Sequence, residues 1–119
     1  MEESFDSYIG TAIWSSADNG SGVTDEHTIA DFDEELLNAM RGMHDVFYQA
    51  FFGLVELDDG FYHNRDVSFG HNMWMTQNGH GAGFWDGDYV NGDKLTEACG
   101  AFLRPFELYV GDDYRIYGM

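Results

Sequence analysis

The chain has 119 residues and a formal net charge of −17, from 22 acidic against 5 basic residues, with 44% hydrophobic and 17% aromatic residues. This length suits a single domain. The apolar and aromatic content excludes a disordered acidic tail, and the lone Cys99 excludes an internal disulfide and fits a reducing compartment.

In chain order, Phe5, Tyr8, Ile9, Ala12 and Ile13 follow the spacing of one helical face and predict a helix over 5–14. Ser4 is placed to cap it, and Trp14 to close it against the core. Small polar residues and glycine over 15–28 predict a loop between two helices. The longest periodic segment is 33–55, where Leu36, Leu37, Met40, Met43, Phe47, Phe51, Leu54 and Val55 share a face. Asp33 or Asp31 suits its N-cap, Glu34 and Glu35 its first turn, and Gly53 a kink or early end. Residues 72–77 alternate as a strand does, with Met73 and Met75 opposite Trp74. Asn78-Gly79 is a hairpin signal, and Phe84-Trp85 would begin the return strand. Asp93 would cap a helix over 94–103 with Leu95, Ala98, Cys99 and Phe102 inward, stopped by Pro105. The segments 106–110 and 114–117 would pair around Gly111-Asp112-Asp113. The order α-α-β-β-α-β-β predicts one α+β domain over residues 1–119, with three helices packed on an antiparallel sheet of about four strands.

Charge is the strongest functional signal. Residues 1–60 hold fourteen acids and one base, Arg41, whereas residues 61–119 hold eight acids and four bases. A globule of this length is about 35 Å across and would displace duplex DNA bearing about 20 phosphates. The protein's own charge is of that order. Carboxylates repel a nucleic-acid backbone but suit a site built for phosphates. The expected partner is therefore a basic, nucleic-acid-binding protein, with no direct contact to nucleic acid. Asp31, Asp33, Glu34, Glu35, Asp45, Glu56, Asp58 and Asp59 are the expected contacts. Plain solubilising charge and salt adaptation are the competing readings; Asp is abundant and Lys94 is the one lysine. No basic start followed by an apolar run marks a signal peptide, and no apolar stretch is long enough for a membrane span.

The stretch from His71 to Asp86 is the most distinctive. Gly79, Gly81 and Gly83 alternate within it, a pattern that serves either a ligand loop or a tight turn beneath Trp74 and Trp85. It resembles a family of small phage proteins of unknown activity, through His71, Trp74, Thr76 and the run Asn78-Gly79-His80-Gly81-Ala82-Gly83-Phe84-Trp85-Asp86. The likeness continues in residues 92–98 and 108–113 and touches 11–16. Asn72 and Gln77 depart from it, replacing an acid and an arginine. The resemblance implies a phage-encoded protein acting in the host bacterial cytoplasm, and carries over no activity. By class and charge, it points to an inhibitor of a host defence or repair enzyme.

Three kinds of chemistry have candidate residues in this region. His63, His71 and His80 with Asp86 and Asp88 match no zinc spacing. The twelve residues from Asp86 to Glu97 fail the EF-hand pattern, with Val90 at a ligand position and Gly92 one place late. Ser68 or Cys99 with His71 or His80 and a carboxylate makes a triad only on paper, since no nucleophile elbow exists. The expectation is a binding protein that is no enzyme, with no metal and no cofactor. The rivals are a small-ligand or metal protein, or an enzyme, using 71–88, and a structural phage component.

Overall fold

The computed structural model describes residues 1–17, 20–54, 64–79, 83–84 and 91–119. Within them run α1 (Glu2–Ser16), a 3-10 turn (Ile29–Asp31), α2 (Glu34–Phe51) continuing into a second 3-10 turn (Phe52–Leu54), α3 (Arg65–Gln77), α4 (Gly92–Phe102), β1 (Leu108–Val110) and β2 (Ile116–Gly118). Four helices and one two-stranded sheet thus replace the expected three helices on about four strands.

The correction centres on residues 72–77, which form the second half of α3 and no strand. Met73, Trp74 and Met75 are all buried, because α3 is the central helix and is covered on most of its circumference. A helix buried all round has no polar face, so a short window of it mimics the alternation of a strand. The Asn64 side chain caps α3 by accepting from the Asp66 and Val67 amides. Asn78-Gly79 ends the helix instead of turning a hairpin. Gly79 takes φ +70, and its amide donates to the Thr76 carbonyl. Phe84 is buried outside any strand, its amide donating to Thr76 Oγ1 at 3.0 Å. Trp85 lies outside the described residues.

α1 and α3 run parallel and touch through their backbones. A Cβ at Gly70 would overlap the Ser4 carbonyl oxygen and stand 2.8 Å from the Tyr8 amide nitrogen. The α1 hydroxyls Ser7, Thr11 and Ser15, one per turn, then reach α3. Ser7 donates to the Val67 carbonyl at 2.6 Å, Thr11 Oγ1 meets His71 Nδ1 at 3.0 Å, and Ser15 Oγ accepts from Trp74 Nε1 at 2.7 Å. Ser4 is a buried residue within α1 and no cap, and Trp14 is exposed on the surface.

α2 lies across this pair, started by Asp33, whose carboxylate accepts the Leu36 amide at 3.1 Å. Its Met40 and Phe47 join Phe5, Tyr8, Ile9, Phe69, Trp74 and Leu95 in one core. Phe69 is the hub, with ring centroids 5.4–5.8 Å from Phe47, Tyr48, Phe52 and Phe84. In α4, Leu95, Ala98 and Cys99 point inward as their spacing predicts, but Phe102 is 70% exposed. β1 and β2 pair antiparallel with Tyr109 opposite Tyr117, and Phe32 bridges to Ile116. The molecule measures 45 × 24 × 23 Å and exposes 6669 Å², close to the about 6,500 Å² expected for its mass. No described helix is long and apolar enough to cross a membrane.

Candidate functional site

The hairpin end of the molecule gathers carboxylates from three separate segments. The Asp33 amide donates to the Ile116 carbonyl at 2.8 Å, which sets the start of α2 beside β2. The His27 ring stacks on Tyr114 at 4.1 Å between centroids, which brings the segment of Asp25 and Glu26 against the turn of Asp112 and Asp113. Asp25, Glu26, Glu34, Glu35, Asp112 and Asp113 are all exposed. Asp31 and Asp33 are half-buried and partly occupied as caps, since Asp31 accepts the Thr28 amide and Asp33 the Leu36 amide. Arg115 is the base of this end; its guanidinium donates to the Phe32 carbonyl at 3.2 Å. The Tyr117 hydroxyl donates to Asp113 at 2.7 Å, and this bond, with the Arg115 amide, holds the Asp113 carboxyl below its ordinary range. Tyr114 accepts a left-handed backbone, φ 68, to make the stack.

Asp45 stands apart, twelve residues and so about 18 Å along α2 from Asp33. It is half-buried and belongs to a second acidic zone around the start of α1. There Arg41 pairs with Glu2 at 2.9 Å, Asn64 donates to Glu3 at 2.5 Å, and the terminal amine lies 3.6 Å from Asp66. Among the described residues, Arg41–Glu2 is the one pair between a lysine or arginine and a carboxylate. Of the expected contacts, then, Asp31, Asp33, Glu34 and Glu35 come together, and Asp45 does not join them. Glu56, Asp58 and Asp59 lie outside the described residues.

The described part of the distinctive segment is structural. His71 is half-buried, tied to Thr11 and 6.1 Å from the Trp14 ring. Trp74 is buried, Asn78 accepts the Phe106 amide at 2.9 Å, and Gly79 and Gly83 both take positive φ, 70 and 154. His80, Gly81, Trp85 and Asp86 lie outside the described residues, as do His63 and Asp88. Among the described residues, no group of three His, Cys, Asp or Glu side chains could hold a metal ion. Ser68 accepts from Asn72 and lies in the core. Burial pushes the Cys99 thiol up to about 12, which keeps it protonated and unreactive.

A chain of hydrogen bonds that spacing did not flag runs through the core. Ser4 Oγ lies 2.7 Å from His44 Nε2, and His44 Nδ1 lies 2.8 Å from Asp45 Oδ1. The carboxylate can only accept, so Nδ1 carries the proton. Burial holds the His44 pKa below its ordinary value, against the opposing pull of Asp45, so Nε2 is free of a proton and accepts from Ser4. The connectivity is that of a hydrolase triad. However, Ser4 and His44 are fully buried, beneath Phe5, Tyr8 and Tyr48, and no substrate reaches the hydroxyl. The chain locks α1 to α2. Its signal in the sequence was Ser4 on the buried face of α1 and His44 on that of α2.

Comparison with protein-family models, curated proteins and solved structures returns no match.

Proposed function

We propose that the chain is an acidic binding protein that occupies the basic, nucleic-acid-binding site of another protein, and that it is phage-encoded and inhibits a host defence or repair enzyme in the bacterial cytoplasm. The observation that supports this most is the convergence of exposed Asp25, Glu26, Glu34, Glu35, Asp112 and Asp113 from three segments with Arg115 as their local base. Solubility asks for mixed and scattered charge; a converged patch of one sign steers a partner of the other. Scale agrees as well. The 45 Å long axis matches a stretch of duplex with about 26 phosphates, and the second acidic zone lies about 18 Å along α2 from the first.

The test is capture from bacterial lysate at low salt on immobilised protein, followed by a salt gradient. A parallel column carries Glu34→Lys, Glu35→Lys, Asp112→Lys and Asp113→Lys together. The proposal expects a nucleic-acid-binding protein that leaves the first column in the gradient and is not retained on the second. Equal retention on both columns, with the variant folded, removes the acidic end as the binding site.

A further inference from the structure

We infer that the apolar groove between α2 and α4 seats an amphipathic helix of the same basic partner, a claim that rests on the proposed function and adds a second contact to it. The groove holds about 430 Å³ and is lined chiefly by Gly42, Met43, Val46, Ala50, Phe51 and Phe102. Among the described residues, its walls include no charged side chain. Val46 is 71% and Phe102 70% exposed, a large apolar display for a chain this acidic. Gly42, Val46 and Ala50 recur every fourth residue along α2, and the space above Gly42 is open. Phe102 rises beside them, its ring 5.5 Å from Phe51. A low floor with one aromatic wall accepts the apolar face of a helix, whose anchors repeat at the same spacing.

Charge selects the occupant. The exposed face of α2 that carries Gly42 and Val46 continues towards its start into Ala39 and Glu35. A guest helix with basic residues flanking its apolar face would meet the Glu35 carboxylate there while its anchors fill the groove. A second copy of this chain would bring −17 against −17. The groove therefore fits a basic amphipathic helix better than it fits itself.

The probe is a fluorescein-labelled helical peptide of leucine and lysine with its leucines on one face, beside a scrambled peptide of the same composition. At low salt the amphipathic peptide is expected to bind about tenfold more tightly than the scrambled one. Val46→Ser with Phe102→Ser should lose that advantage and leave binding of the scrambled peptide unchanged. Amide resonances of Gly42, Val46 and Ala50 should shift with the amphipathic peptide. Val46→Lys alone, at the more exposed position, should reproduce the loss if the double variant unfolds. Equal affinity for both peptides, or shifts confined to other residues, overturns the groove and leaves the acidic reading intact. Binding of neither peptide counts against the acidic reading itself. A dimer in sedimentation that Val46→Lys dissociates assigns the groove to self-association and overturns the proposal.

Discussion

Single residues decide how the helices meet. Gly70 is required because the α1 backbone passes where its Cβ would stand. Gly70→Ala must push two buried helices apart, at a cost of about 2–3 kcal/mol, visible as a lower denaturant midpoint. Thr11→Val removes the hydroxyl that meets His71 and should cost about 1 kcal/mol. His44 sets a pH dependence. Burial keeps its folded pKa below the unfolded 6.5, while Asp45 pulls upward and Arg41 and the terminal amine downward. As pH falls below 6.5, the unfolded chain takes up a proton that the folded chain resists, so stability is full above that value and falls with acid until the lowered pKa is passed. Protonated acids elsewhere relieve repulsion over the same range, so the measurement is a difference. Between pH 7 and pH 5 the wild type should lose stability relative to His44→Gln. Parallel curves for the two would mean that His44 is not held neutral by the fold.

At the scale of elements, caps and periodicity carry most of the information. Asp33→Ala removes the carboxylate that holds the Leu36 amide and should cost about 1 kcal/mol, measured by thermal or denaturant unfolding. The α2 face of Leu36, Met40 and Phe47, the inward Leu95, Ala98 and Cys99 of α4, and the turn at Gly111 could all be read from sequence, because each alternates with exposed neighbours. α3 could not. Its Phe69, Met73, Trp74 and Met75 face different neighbours but are all buried, so no period survives. Asn78-Gly79 compounded this, since a left-handed glycine closes a helix as readily as it turns a hairpin. The acidic end was half legible. Glu34 and Glu35 lie beside Asp31 and Asp33 in sequence, but Asp25, Glu26, Asp112 and Asp113 join them only through the His27–Tyr114 stack and the Phe32–Ile116 bridge. Asp45 is on the same helix, yet rotation and about 18 Å of rise carry it to the other zone.

For the whole molecule, the excess of 22 acids over 5 bases is a cost borne by the fold. Repulsion among them weakens as the screening length shrinks from about 30 Å at 0.01 M salt to about 8 Å at 0.15 M. The melting temperature should therefore rise with sodium chloride over that range; a flat or falling trend would mean that the charge is balanced locally. The same excess is what a basic cleft would recognise. The most direct measurement takes the nucleic-acid-binding protein captured at low salt, binds it to labelled duplex DNA, and titrates in this chain. DNA is expected to leave as the chain binds, one displacing the other, with the displacement weakening as salt rises. A stable complex holding partner, DNA and this chain together would contradict it.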